Sequence, residues 1–304
     1  MSPANSPAVN AWIDLIAAWI AFLILAYLPA VAPARAITPA TLTLFWAFFS
    51  MTSIVLCDQI VLRLENRSLL LEMTANGKAW LRFAAIGALS GLLLDGIAQW
   101  LGKLWFYPDW NEFFYALSFI PGFMAYWIVT VESYLAVRAV VRRFRRPLKR
   151  EPRVNKMFFR AAGIAGLALT AAGIVLLLDS YPAGYGFETR ARCALDRPFL
   201  HFAITAMGVW LMLEYAQWAC GRESLLMRLS AGDAAPLWSL LLASLIFSFF
   251  WESVNAQHHF WIYSNWPWER RTILGAPVAV IAAWPIQYLI FLSLGFLTPR
   301  ELWR

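Results

Sequence analysis

The chain has 304 residues, of which 61% are hydrophobic and only 14% are charged. Soluble proteins carry roughly 25% charged residues, so this composition leaves too little charge to cover a water-facing surface. The net charge of +7 is unevenly distributed along the sequence, which argues against a basic nucleic-acid-binding domain. The 17 tryptophans are typical of a protein with two membrane interfaces, so we expect an integral membrane protein.

The N-terminal apolar run is interpreted as a retained helix. No basic residue precedes the run at 11–33, and no convincing small-residue cleavage site follows it, so a secretory signal peptide is not indicated. The three cysteines, Cys57, Cys193 and Cys220, form no CxxC pair and no even set. Neither a disulfide framework nor a thiolate metal site is therefore expected.

Eight segments are long and apolar enough to cross a bilayer. A transmembrane helix needs about 20 such residues to span about 30 Å of hydrocarbon. The segments are 11–33, 39–62, 79–103, 112–138, 158–180, 197–220, 236–260 and 273–296. The third is interrupted by Asp95, Gln99 and Lys103. The sequence predicts an all-α, polytopic membrane helix bundle of about eight transmembrane helices.

The orientation follows from the basic residues between the segments. The most basic connection, around 139–157, carries Arg138, Arg142, Arg143, Arg145, Arg146, Lys149, Arg150, Arg153 and Lys156. Such connections stay in the cytoplasm. Eight spans then place both termini and the loops 63–78 and 221–235 on the same side. We expect a multi-pass protein of the bacterial cytoplasmic (inner) membrane with both termini cytoplasmic.

An order of features recurs in residues 79–138 and 236–296. The first segment contains, in order, Asp95, Gln99, Trp105, Tyr107 and Pro121. The second contains Glu252, Asn255, Trp261, Tyr263 and Pro277. The separation between acid and Trp differs by only one residue. This pattern predicts two four-helix repeats, 1–148 and 149–304, that are parallel because each has an even number of helices, and that form one membrane domain.

The repeat brings Asp95 and Glu252 to one depth. Both lie about 16 residues from the cytoplasmic start of their helices, which corresponds to roughly 24 Å. Gln99 follows Asp95 at i+4, whereas Asn255 and His259 follow Glu252 at i+3 and i+7. Each set is therefore expected to line one helix face near the outer interface.

A carboxyl group at membrane depth has an energetic cost of at least about 2.5–3.5 kcal/mol and usually marks a site. Apolar surroundings disfavour its charged form and can keep it protonated near neutral pH. A protonated carboxyl in an aromatic-lined cavity could donate a proton to an alkene, while Trp and Tyr faces stabilise the carbocation. The alternative is that Asp95 and Glu252 only bridge helices through Gln99 and Asn255.

Three further acids, Asp58, Glu132 and Glu214, lie closer to the cytoplasmic side. We expect these to be structural, because arginines near the cytoplasmic helix ends could pair with them. Adjacent His258 and His259 would point about 100° apart on a helix, so one ion could not easily bind both. No metal and no cofactor are expected.

The second half resembles a known group of membrane proteins. The matching stretches are Trp251–Asn255, Phe260–Tyr263, Leu274–Pro277 and Trp284–Tyr288. They resemble the membrane carotenoid-biosynthesis families, namely the lycopene cyclases built from duplicated small membrane domains and the related carotenoid hydratases. The resemblance covers about 45 residues here and, more faintly, about 50 around Asp95 to Pro121. The Pro-x-Glu-Glu segment of the cyclases is missing, because Val-Ala-Val follows Pro277.

The resemblance implies a cofactor-independent reaction on a long isoprenoid or carotenoid, with alkene protonation followed by cyclisation or hydration. It makes Glu252 the proton donor or its partner and Asp95 the corresponding acid. The substrate-binding residues would be Trp105, Tyr107, Trp261 and Tyr263 as cavity aromatics, with Gln99, Asn255 and His259 orienting the acids. The partners implied are a hydrophobic isoprenoid or lipid substrate and the membrane, and a second copy of the chain or another membrane protein stays open.

Two other functions fit the sequence. Two parallel halves with polar groups at a common depth also suit a small transporter. A non-catalytic assembly subunit is the third reading, since Gly163, Gly166 and Gly173 could form a small-residue face for a partner helix.

Overall fold

The computed structural model describes residues 7–28, 39–108, 112–144, 155–180, 197–295 and 302–303. These residues form an all-α bundle, which confirms the predicted fold class. The helices are α1 Pro7–Ile20, α2 Pro39–Glu65, α3 Leu69–Thr74, α4 Gly77–Asp95, α5 Glu112–Phe144, α6 Lys156–Leu178, α7 Arg197–Ala219, α8 Leu225–Ser230, α9 Ala235–His258 and α10 Val278–Leu294. The helix α1 continues as a π-helical segment Ala21–Tyr27, and α4 continues as another, Gly96–Leu101.

Four two-residue strands complete the secondary structure of the described residues. They are β1 Trp105–Phe106, β2 Ile262–Tyr263, β3 Thr272–Ile273 and β4 Ala276–Pro277. The strands β3 and β4 form a hairpin directly before α10. The last predicted span therefore begins at 278 rather than 273.

Within the described residues, six helices are long and apolar enough to cross a membrane. They correspond to the second to seventh predicted spans. The first and last appear as shorter apolar helices, Ile13–Ile24 and Val278–Leu294, so the count of eight is not established by length. Large apolar side chains such as Leu44, Leu81 and Leu167 are exposed, as expected for surfaces in contact with lipid.

The long helix α5 is at the centre of the bundle. It packs against α2 and α4 from the first half and against α9 and α10 from the second. The indole of Trp127 on α5 donates a hydrogen bond to the carbonyl oxygen of Phe291 on α10 at 3.0 Å. The two halves of the chain therefore share one core.

Glycines bring α6 and α7 close together. A Cβ atom added at Gly166 would lie 2.7 Å from the carbonyl oxygen of Gly208, and one at Gly173 would lie 2.3 Å from the Oγ1 of Thr205. A Cβ at Gly163 would meet the ring of Tyr215 at 2.7 Å. The small-residue face of α6 is thus occupied by α7.

The acid Asp58 holds the start of the short helix α3. Its carboxylate accepts hydrogen bonds from the Ser68 hydroxyl at 2.6 Å and the Leu70 amide at 3.3 Å. Ser68 also caps α3 by accepting a hydrogen bond from the Leu71 amide. Asp58 therefore binds a helix N-terminus rather than an arginine, and its purely structural role stays a prediction.

The acid Glu214 holds the start of the short helix α8, as Asp58 does for α3. It accepts hydrogen bonds from the Trp210 indole at 3.0 Å and the Leu226 amide at 3.2 Å, while Ser224 caps α8. The third acid of this group, Glu132, is fully buried in α5.

The same end of the bundle holds the C-terminal residues Leu302 and Trp303. Arg138 donates a hydrogen bond to the carbonyl oxygen of Leu302, and Arg228 donates one to that of Trp303. The Trp303 indole donates to Gln217 at 2.7 Å. Most of the predicted basic connection lies outside the described residues, namely Arg145, Arg146, Lys149, Arg150 and Arg153.

Candidate functional site

Two strands from the two halves of the chain pair above the bundle. In this antiparallel ribbon, Trp105 lies opposite Tyr263 and Phe106 lies opposite Ile262. Side chains alternate between the faces of a strand, so Trp105 and Tyr263 share one face, and Tyr107 and Trp261 return to it one step further along. All four of these aromatic residues line the same cavity.

The ribbon is fixed by hydrogen bonds to the backbone ahead of β1. The carbonyl oxygen of Lys103 accepts hydrogen bonds from the Ser264 hydroxyl at 2.6 Å and the Asn265 amide at 2.9 Å. The carbonyl oxygen of Leu104 accepts two more, from the Ser264 amide and from the Trp266 indole. These contacts make the ribbon a fixed cover over the cavity.

The first acid, Asp95, lies at the end of α4 and is 1% exposed. Its Oδ1 accepts hydrogen bonds from the Trp105 indole at 2.8 Å and from the Tyr107 hydroxyl at 2.9 Å. Two aromatic residues of the ribbon therefore bind one oxygen of this carboxyl group.

The second acid, Glu252, is fully buried in α9. Its Oε1 accepts a hydrogen bond from the Tyr263 hydroxyl at 2.6 Å and one from the Trp284 indole at 3.2 Å. Its Oε2 is buried and accepts no hydrogen bond from the described part of the chain. Burial raises the pKa of the Tyr263 hydroxyl well above 10, so this group remains a hydrogen-bond donor.

A cavity of about 460 Å³ lies beneath the ribbon. Asp95, Tyr263 and Trp284 line this cavity. Glu252 does not line it and lies behind Tyr263 and Trp284. The ring of Trp46 stacks on that of Trp251 at 4.1 Å between centroids, and both line the cavity. The lining is thus mainly aromatic and aliphatic, and Asp95 is the acidic residue that takes part in it within the described part of the chain.

The three residues predicted to orient the acids have different positions. Gln99 is buried beside Asp95 in the π-helical segment. The Asn255 side chain accepts a hydrogen bond from the Trp261 amide at 3.1 Å, so it holds the start of the ribbon. His259 is exposed, because α9 ends at His258 and His259 adopts the left-handed conformation there. The structure does not bring its side chain to the acids.

Several cavity residues were not among the predicted ones, namely Trp46, Tyr126, Trp251, Trp266, Trp284 and Gln287. A repeated pattern in the sequence could have located part of this wall. The segment 44–51 reads Leu-Phe-Trp-Ala-Phe-Phe-Ser-Met, and 200–207 reads Leu-His-Phe-Ala-Ile-Thr-Ala-Met. Leu, an aromatic residue, Ala, a small residue and Met therefore recur with the same spacing on α2 and α7.

No family model matches this sequence, and no curated protein and no solved structure matches it either.

Proposed function

We propose that this protein is a membrane enzyme that protonates a carbon–carbon double bond of a long isoprenoid or carotenoid, leading to cyclisation or hydration. The single observation that carries the proposal is the position of Asp95, a carboxyl group in the wall of an aromatic-lined, largely apolar cavity. The volume of this cavity, about 460 Å³, is within the range of small-molecule sites, about 300–1,000 Å³.

In the proposed reaction, Asp95 donates its proton to one alkene carbon. A C–H bond forms from the π electrons, the neighbouring carbon becomes cationic, and Asp95 becomes a carboxylate. The indole of Trp105 and the hydroxyl of Tyr107 stabilise this negative charge through their hydrogen bonds to Oδ1. The aromatic side chains of the cavity wall, among them Trp46 and Trp251, are suited to stabilising the cation.

The cation then has two outcomes. In cyclisation, a second double bond of the same chain attacks the cation, a ring bond forms, and the positive charge moves to the other carbon of that double bond. A neighbouring C–H bond then gives its proton to a base, and its electrons form a new double bond. In hydration, a water oxygen attacks and loses one proton. Each route releases one proton, which replaces the proton that Asp95 supplied and that stays in the product as a C–H bond, and neither needs a redox cofactor.

Glu252 is proposed to act through the residues in front of it. It accepts hydrogen bonds from Tyr263 and Trp284, and both side chains line the cavity. We therefore assign proton donation to Asp95 and positioning of the wall to Glu252. The assembly-subunit reading loses its main support, because the glycines of α6 pack against α7.

The test compares Asp95→Asn with Glu252→Gln in membranes supplied with lycopene. Asp95→Asn should lower product formation by about 100-fold or more, the usual contribution of a general acid. Glu252→Gln should lower it less and should alter the KM. Asp179→Asn, at an exposed acid after α6, is the matched control and should be fully active. Full activity of Asp95→Asn would refute the proposal.

A further inference from the structure

The helices α2 and α7 contribute equivalent positions to the cavity. On α2 the lining residues include Trp46, Ala47 and Ser50. On α7 they include the residues 156 positions later, Phe202, Ala203 and Ala206. The same three helical positions therefore form the wall on both helices.

Both helices also face the lipid next to this wall. Leu44 and Met51 on α2 are 60% and 57% exposed, and their counterparts Leu200 and Met207 on α7 are 57% and 42% exposed. Met51 is exposed and lines the cavity as well. On each helix, residues that line the cavity and residues that face the lipid are thus less than one helical turn apart in the sequence.

A small residue lies at each of these boundaries. Ala47 is exposed and Ala203 is half-buried, and both line the cavity. They lie in the first third of apolar helices long enough to span a membrane, Leu44–Glu65 and Pro198–Ala219. The exposed side chains next to them, Leu44, Met51, Leu200 and Met207, are apolar, so an opening there would meet lipid rather than water. Neither alanine has a side chain large enough to close such an opening.

The size of the cavity limits what it can enclose. At about 460 Å³ it holds a molecule of drug size, so a much longer chain must extend out of it. The exposed residues beside Ala47 and Ala203 are apolar, which favours a hydrocarbon chain there over a polar one.

We propose that the cavity opens sideways into the bilayer at Ala47 and at Ala203, and that it binds the middle or end of a linear apolar chain that continues from these openings into the lipid. The identity of that chain as an isoprenoid rests on the proposed function. The openings themselves rest only on the positions of these residues.

Bulky substitutions at the two openings test this inference. The double variant Ala47→Phe/Ala203→Phe is purified in detergent, and bound lycopene is measured after gel filtration. Radiolabelled geraniol serves as a short isoprenoid that fits inside the cavity. We expect the Kd for lycopene to rise at least tenfold, while that for geraniol changes less than threefold. Ala168→Phe, at an exposed position of α6, is the matched control and should bind both probes normally.

Unchanged lycopene binding by the double variant would overturn the proposal. If the phenylalanines abolish binding of both probes, the smaller pair Ala47→Leu/Ala203→Leu decides, and loss of both probes there also overturns it. The enzymatic proposal fails separately: a wild-type protein that binds lycopene but forms no product would refute the reaction and leave the openings intact.

Discussion

The two acids have similar hydrogen bonds but different surroundings. Asp95 binds Trp105 and Tyr107 on the wall of the cavity, whereas Glu252 binds Tyr263 and Trp284 from behind it. The sequence could identify both acids and the two Trp-x-Tyr elements from their spacing, but not Trp284 as a partner of Glu252. It could not tell which acid faces the cavity, because that depends on how each helix is rotated.

The π-helical segment after Asp95 offers a physical reason for this difference. Such a segment accommodates more residues per turn than an α-helix and rotates the residues that flank it. Asp95 lies ten residues before Trp105, but Glu252 lies only nine before Trp261. The extra residue lies between Asp95 and Gln99, where the π-helical segment begins.

The hydroxyl of Tyr263 is expected to stabilise the fold as well as the site. Replacing it in Tyr263→Phe would leave the Oε1 of the fully buried Glu252 with one of its two donors within the described residues, the Trp284 indole. We expect the free energy of unfolding to fall by about 1–3 kcal/mol, because a buried acceptor loses a partner. Denaturant unfolding in micelles measures this change.

Tyr215→Phe is the matched control for that measurement. Tyr215 is 38% exposed on α7, so loss of its hydroxyl should change the unfolding free energy by less than about 0.5 kcal/mol. Equal losses in the two variants would contradict the role given to Tyr263.

At the scale of elements, two short helices are built alike. Ser68 caps α3 and Ser224 caps α8, and each helix has six residues. The acids Asp58 and Glu214 bind the amides of Leu70 and Leu226, twelve residues after each acid. The sequence indicated the depth of these acids but not their capping role, because the short helices lie in loops that carry no strong apolar period.

Removal of either capping serine should lower the free energy of unfolding by the same amount. Ser68→Ala and Ser224→Ala are each expected to lower the free energy of unfolding by about 0.5–2 kcal/mol, since each leaves a helix N-terminal amide without its acceptor. Ser230→Ala, at the exposed end of α8, should have little effect. A large loss from only one cap would contradict the equivalence of the two helices.

The start of α10 illustrates what an apolar pattern cannot predict. The predicted span begins at 273, but a hairpin occupies 272–277. Leu274 and Gly275 have φ angles of 53° and 77°, so the chain turns there although the residues are largely apolar. Hydropathy reports burial in lipid or protein and does not distinguish a tight turn from a helix end.

At the scale of the molecule, the orientation in the membrane that the basic residues predict can be tested from both sides. The ribbon and the loop after it should face away from the cytoplasm, and α8 should face it. With Cys193 and Cys220 replaced by Ser, a membrane-impermeant maleimide should label Arg270→Cys in intact spheroplasts. Ser230→Cys should be labelled only after permeabilisation. Both positions are exposed, so a difference in labelling reports the side of the membrane on which each residue lies. The reverse pattern would invert the predicted topology.

The duplication predicted from the sequence remains a hypothesis with new geometric support. The pairs separated by 156 residues include Trp46 and Phe202, Asp58 and Glu214, Ser68 and Ser224, Gln99 and Asn255, Trp105 and Trp261, and Tyr107 and Tyr263. The ribbon pairs Trp105 with Tyr263 in an antiparallel register, as a twofold relation between the repeats requires. The spacing of the acids and the Trp-x-Tyr elements predicts part of this correspondence, whereas the short match between α2 and α7 gains its meaning from the cavity that both helices line.

The most direct test of the proposed reaction follows the proton. Membranes that contain the protein are incubated with lycopene in D₂O, and the products are analysed by mass spectrometry. Protonation of an alkene by Asp95, which exchanges its proton with solvent, predicts a cyclised or hydrated product that carries one carbon-bound deuterium, and almost none of this product with Asp95→Asn. A product without deuterium, or equal labelled product from Asp95→Asn, would contradict proton donation by Asp95.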